Sequence, residues 1–392
     1  MSMLTQLWAV SLLNLRNLPA RLDTALVALI GFAGVVAVLV GVLSIKAGFQ
    51  ATLAGSGQKD VAIVLRGGAA TEINSVLLHD DVMAIGAAPG IAAGAQGPVL
   101  SPELLVLINR IKRGSSVEAN VPFRGVTMDA LKVHPRVHIV AGRLFRPGLN
   151  EVVVGQGAAN EFQGLQLGST FKSGRFTWHV VGIMAGGGIH ESEIWTDLNA
   201  LQQAYQRGNS VESVYVKLES PAAFGQFKAA VSSDPRLTVS VKREPEYYAE
   251  QSRVLTVLIG VAGSAIALLM GIGAIFGAIN TMYTIVSDRG REIATLRALG
   301  FGRSAVLSSV LLEGTLLGLA GGALGGLVAY LAFNGFQAST VNQFSQVVFE
   351  FAVTPGLIGA GIVYALIMGF VGGLLPAIRA ARTPVATAIR QL

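Results

Sequence analysis

Five charged residues, Asp288, Arg289, Arg291, Glu292 and Arg297, are set in the stretch Asp288–Gly300 (DRGREIATLRALG) between two long apolar runs. Among them Ile293, Leu296 and Leu299 step by threes along one helical side, an apolar knob inside a polar rim. Such a patch makes or breaks no bonds. It suits docking into a cleft on another protein, because an unpartnered apolar side would face water for no gain. Gly300 can take the left-handed conformation that ends such a helix. Glu313 is the other conspicuous group. It falls about 15 Å along the next apolar run from Arg303, where a carboxylate is costly unless paired, protonated or turned to the protein interior. Two placements are open: a latch facing the helix bundle, or a side chain that snorkels to the interface.

The remaining reactive types make no catalytic set. Absence of cysteine removes thiol catalysis and Cys-ligated zinc. No G-x-x-x-x-G-K-[ST] loop occurs, and Gly55–Lys59 (GSGQK) has the wrong spacing, so ATP is not bound in that way. His134 and His138 are four apart but separated by Pro135 in a strand-like stretch, and no H-E-x-x-H occurs; no metal site is expected. His190–Glu191, after Gly186–Gly188, reads as a solvated loop. No catalytic residue is assigned.

The elements that carry these groups belong to a membrane protein. Charged residues are 13% of 392, about half the share of a soluble domain, and mean hydropathy is +0.58. Thr24–Ile45 is charge-free and about 33 Å long as a helix, enough to cross a bilayer as a retained anchor. Val254–Ser287 is charge-free over about 50 Å, so this second span should continue beyond the membrane as a stalk. Ser304–Phe333 and Ala352–Ile378 are the third and fourth spans. Gly318, Gly322 and Gly326 recur every four residues, as do Gly273/Gly277 and Gly369/Gly373, a spacing that lets helix backbones approach.

Arginine placement orients the spans. The segments 1–23, 288–303 and 379–392 hold nine Arg against Asp23, Asp288 and Glu292, which accounts for the chain's +6; they are placed in the cytoplasm. The basic balance thus reflects orientation, and no nucleic acid is implied. Residues 46–253 and the loop 334–351 fall outside. Leu4, Leu7, Trp8, Leu12 and Leu15 form an apolar stripe, expected as an amphipathic helix on the cytoplasmic face. Within 46–253, β-rich runs such as Val61–Leu65, Leu104–Ile111, Val117–Phe123 and Phe176–Val181 alternate with helical Ile73–Ile85 and Pro221–Ser232. The expected fold is an α-helical membrane protein with four transmembrane helices and a large α+β extracytoplasmic domain, of two subdomains, inserted between helices 1 and 2.

These motifs resemble those of the MacB/FtsX/LolC–LolE superfamily of ABC permeases, the type VII or mechanotransmission class. Asp288, Arg289, Glu292, Ile293, Arg297, Ala298, Leu299 and Gly300 fill its coupling pattern, with Gly290 an unusual residue inside that helix. Leu311–Gly314 with Gly318–Gly326 resembles its third span, and Pro376–Arg390 its closing segment. The external part matches more loosely, through Gly142–Arg143, Glu151–Gly155 and Leu167–Gly168. The resemblance implies a non-catalytic permease in a bacterial inner membrane, its large domain in the periplasm, paired with a second copy or a related permease. ATP and Mg would be bound by partner ABC ATPase subunits, and no cofactor by this chain. A periplasmic adaptor and an outer-membrane channel are further candidate partners beside the lipid bilayer. It implies export or extraction of an amphiphile, or alternatively FtsX-like signalling that regulates a cell-wall hydrolase.

Overall fold

The computed structural model describes residues 22–95, 97–186, 188–342 and 345–382. The helix expected over Leu4–Leu15, together with Pro384 and Arg390 of the closing segment, lies outside the described residues.

In chain order the elements are α1 (Leu22–Ser56), β1 (Val61–Arg66), α2 (His79–Gly86), β2 (Ala93–Gly94), β3 (Gly97–Pro98), β4 (Leu100–Ile111), β5 (Glu118–Val126) and α3 (Ala130–Val133). There follow β6 (His138–Gly142), β7 (Glu151–Gly155), α4 (Gln156–Glu161), β8 (Thr170–Ser173), β9 (Phe176–Ala185), β10 (Ile194–Asp197), α5 (Leu198–Tyr205), β11 (Ser213–Lys217), α6 (Phe224–Ser233) and β12 (Val239–Arg243). The chain then runs through α7 (Glu244–Asp288), α8 (Gly290–Ala298), α9 (Arg303–Phe333), β13 (Gln337–Asn342), β14 (Ser345–Glu350) and α10 (Pro355–Arg382). Contacts divide it into two units, one holding the apolar helices, the other holding Phe49–Thr256 with Gln337–Glu350.

Among the described residues four helices, α1, α7, α9 and α10, are long and apolar enough to cross a membrane. With 45 residues, α7 is about 68 Å long. Glycine sets how α9 and α10 meet. A Cβ on Gly314 would lie 2.8 Å from the Gly369 carbonyl oxygen, and one on Gly318 would lie 2.5 Å from that of Ala365. At Gly322 and Gly326 it would meet Ala365 Cβ at 2.9 Å and Ile358 Cγ2 at 2.8 Å. Gly369 abuts the Gly314 carbonyl, while Gly373 keeps ordinary contact with Leu311 at 3.8 Å. Backbones this close gain dispersion that lipid cannot supply. One turn round α9, Gly321 and Gly325 receive Phe32, Ala33 and Val36 of α1. Gly273 and Gly277 make no such approach among the described residues. No described residue lies within 4 Å of a Cβ there; α7 turns Gly271, Ala278, Met282 and Ile285 inward instead.

The other unit is built on one ten-stranded sheet, ordered β12-β1-β11-β4-β5-β10-β7-β9-β6 with β8 on β9. Period-two alternation gives its strands two different faces. Ala62, Val64, Leu104, Val106, Phe123, Ile194, Val214 and Val216 enter one apolar core, where Phe123 and Trp178 meet edge-to-face at 5.0 Å. Their neighbours Glu103, Arg124, Trp195 and Tyr215 necessarily point to the opposite face. Helix occupies less of 73–85 than expected: Glu72–Asn74 form a single 3-10 turn, and α2 starts only at His79. The 334–351 segment is more ordered than a short loop. Its β13–β14 hairpin belongs to this unit, with the Val348 N–H donating to Ser192 Oγ at 2.8 Å and Phe349 edge-on to Phe49 at 5.6 Å.

Candidate coupling site and buried ionic cluster

The charged segment is an elbow. α7 ends at Asp288, Arg289 leaves helical geometry (φ −96°, ψ 9°), and α8 starts at Gly290. Gly290 therefore sits at the joint and not in the helix interior, where it would weaken the helix. At the far end Gly300 has φ +96°. Its N–H donates to the Arg297 carbonyl at 3.1 Å, and the Phe301 N–H to that of Leu296 at 3.1 Å. This paired closure satisfies the last carbonyls of α8 and needs the left-handed residue.

Arg289 locks the elbow. Its side chain is 4% exposed and lies between two carboxylates. It donates to Glu292 through Nε and Nη2 at 3.2 Å each, and to Glu313 on α9 through Nη1 at 3.0 Å. Glu313, 10% exposed, is thus paired across helices inside the bundle. Arg297 donates to the Ala381 carbonyl of α10 at 3.3 Å.

The three-residue apolar knob is divided. Ile293 is 6% exposed and packs with Val306, Val310, Ala377 and Ala380 of α9 and α10; Leu296 is half-buried, and Leu299 is 73% exposed. Ile293 therefore anchors α8 on its own bundle. Spacing by threes drifts around a helix, so it does not tell which member faces in. Arg291, Thr295, Ala298, Leu299 and Gly300 form the exposed side, while Asp288 is exposed beside the elbow.

The second constellation escaped the sequence reading. Arg124, on the non-apolar face of β5, uses all five donors. Nη1 donates to Glu72 Oε1 at 2.8 Å and Glu103 Oε2 at 2.9 Å; Nη2 donates to Glu193 Oε1 at 2.8 Å and Glu72 Oε2 at 3.2 Å; Nε donates to Glu193 Oε2 at 3.0 Å. Glu193 also accepts from Trp195 Nε1 at 2.7 Å and lies 3.1 Å from His190 Nδ1. His134 lies between Glu103 (3.5 Å from Nε2) and Glu244 (3.4 Å from Nδ1). All of these side chains are buried. His190 is thus inside the domain and not on a solvated loop. Glu244 is the first residue of α7, and its other oxygen accepts from the Gln58 N–H at 2.8 Å.

Burial opposes the charged forms of Glu193, Glu103 and His134, but their partners prevail. Burial would raise Glu193; Arg124 and His190 outweigh it and hold the carboxyl well below the ordinary range. Glu103 is lowered against burial by His134 and Arg124. Burial would lower His134, but Glu103 and Glu244 raise it to about 10. Outside the cluster, burial pushes Glu212 up to about 7, against the Leu105 N–H that donates to it at 3.0 Å. The only hint of the cluster in the sequence was single charged residues inside apolar strands, as in Val121–Val126 and Leu100–Val106.

Four spanning-type helices, a large domain inserted after the first and a latched charged helix between the second and third define a multi-pass membrane permease with an external domain. Residues 24–234, more than half of the chain, match the MacB-like periplasmic core domain, and residues 257–385 match the FtsX-like permease C-terminal domain. The chain is 26% identical over 398 residues to the pyoverdine export ATP-binding/permease protein PvdT of Pseudomonas entomophila, covering 96% of this chain and 57% of that protein. It is 25% identical over 210 residues to an uncharacterized ABC transporter permease, YknZ, of Bacillus subtilis, covering 51% of this chain and 49% of that one. A macrolide export ATP-binding/permease protein MacB of Shewanella is 36% identical over 119 residues, 30% of this chain and 18% of that one. The chain thus spans about half the length, or less, of these relatives. It belongs to the MacB/FtsX family of ABC transporter permeases.

Proposed function

We propose that this chain couples ATP hydrolysis on a partner ABC ATPase to motion of its external domain, and so drives export or extraction of an amphiphile that is periplasmic or held in the membrane. The observation that carries the reading is the α8 elbow: a short capped helix, anchored inward through Ile293 and Arg289, with Arg291, Thr295, Leu299 and Gly300 exposed. A rigid helix fixed to three spans can take a push on its exposed side without folding away. Glu292 and Arg297 secure it, and Asp288 and Leu296 flank the contact surface. The motion would pass along α7, which is continuous from the elbow to Glu244 at the root of the external domain.

In this reading ATP and Mg belong to the partner, the chain catalyses nothing, and it works beside a second copy or a related permease in a bacterial inner membrane. The export names of PvdT and MacB support export over hydrolase signalling. An adaptor and an outer-membrane channel would complete an export path. The test is copurification. Leu299→Asp with Arg291→Glu should abolish capture of the ATPase and its stimulation, while the chain still inserts and elutes as a folded species. Full capture and stimulation by that double variant would overturn the reading.

A further inference from the structure

His134, His190 and Glu244 come from the end of α3, the turn before β10 and the first residue of α7. One donor atom from each lies within 4.8 Å of the other two, and all three residues are buried. The rings of His134 and His190 are 4.6 Å apart. Their Nε2 atoms, Glu244 Oε1 and Glu103 Oε1 are buried without a hydrogen-bond partner. Buried polar atoms are seldom left so; His134 Nε2 faces Glu103 Oε1 at 3.5 Å and His134 Nδ1 faces Glu244 Oε1 at 3.4 Å, which leaves His190 Nε2 as the atom that calls for an occupant beside them. Charge points the same way. Glu72, Glu103, Glu193 and Glu244 set four carboxyl groups against the guanidinium of Arg124 and the rings of His134 and His190, a formal excess of at least one negative charge away from water even with both rings protonated.

We propose that His134, His190 and Glu244 bind one divalent cation of the zinc class, which ties the root of α7 to the core of the external domain. Neutral imidazole nitrogens and a carboxylate oxygen are zinc's ordinary ligands. With bonds of about 2.0–2.1 Å, neighbouring donors of a tetrahedral site lie ~3.3 Å apart, and His134 Nδ1 is 3.4 Å from Glu244 Oε1. The other separations close by side-chain rotation as the ion enters. The outer groups suit the role. His190 Nδ1 lies 3.1 Å from Glu193 and His134 Nε2 lies 3.5 Å from Glu103, each carboxylate orienting a ring whose other nitrogen is left for metal. Water would take the fourth position. The inference does not depend on the transport reading.

The test uses the full chain in detergent, free of any polyhistidine tag. After loading with zinc chloride and desalting, elemental analysis should give about one zinc per chain, and cobalt(II) should give the visible absorption of a tetrahedral site. His190→Ala and Glu244→Gln should each weaken zinc binding at least tenfold and remove the zinc-dependent rise in the thermal midpoint. If a variant fails to fold, the wild-type stoichiometry and the cobalt spectrum still decide. Wild-type chain that retains no zinc, or a folded His190→Ala variant that retains as much as wild type, would overturn the proposal and leave a protonated His134 as the cluster's counter-charge.

Discussion

The Arg289–Glu313 pair offers the sharpest energetic prediction. At 3.0 Å, with side chains 4% and 10% exposed, the bare attraction at an effective dielectric of 20 is about 5.5 kcal/mol. Desolvation of both groups offsets much of it. Glu313→Leu would strand the guanidinium, an error that costs about 3–5 kcal/mol for a fully buried pair. Glu292 remains within 3.2 Å of Arg289 and is partly exposed, so the expected loss falls to about 2–3 kcal/mol. Arg289→Met strands Glu313 similarly, and the double variant should recover most of one loss. The cycle therefore predicts a coupling energy of about 2 kcal/mol, read from thermal or denaturant unfolding in detergent. ATPase stimulation should fall in both single variants, because the elbow loses its lock. A coupling energy below about 0.5 kcal/mol would refute the latch and reduce Glu313 to an interfacial side chain.

Two further outcomes follow from packing and titration. Gly322→Leu should separate α9 from α10, since even a Cβ there meets Ala365 Cβ at 2.9 Å; Gly273→Leu, with nothing within 4 Å, should leave stability unchanged in the isolated chain. Thermal midpoints of both variants check this. Glu212, held near 7 against an ordinary 4.5, keeps its proton better in the folded state, so its contribution is present at low pH and lost as pH rises from 4.5 through 7. Glu212→Gln should remove up to about 3 kcal/mol of that slope, seen as a flatter midpoint against pH and a relative gain at pH 8.

The membrane half was legible because length without charge has few other uses: Val254–Ser287 and Ser304–Phe333 could hardly be anything but long apolar helices. Gly300 and Glu313 were legible for a related reason, each being the wrong residue for its neighbourhood unless it did a particular job. The direction of Ile293 was not, since the spacing of Ile293, Leu296 and Leu299 names a stripe without saying what covers it. The ionic cluster was beyond sequence reasoning altogether. Its members come from positions 72, 103, 124, 134, 190, 193 and 244, on strands, turns and helix ends that only the tertiary fold brings together. The hairpin at Gln337–Glu350 was readable in retrospect from its Thr, Val and Phe content and its lack of Gly and Pro.

The central claim is that nucleotide on a partner ATPase moves the external domain through α7 and α8. The chain has no cysteine, so Asn209→Cys on the external domain and Leu331→Cys at the end of α9 can be spin-labelled cleanly. Pulsed electron resonance on the complex with its ATPase, nucleotide-free and trapped with ATP, measures the distance between them. A nucleotide-dependent shift of the distance distribution, abolished by Leu299→Asp with Arg291→Glu, is the predicted result. An unchanged distribution in a complex that hydrolyses ATP at full rate would contradict the account.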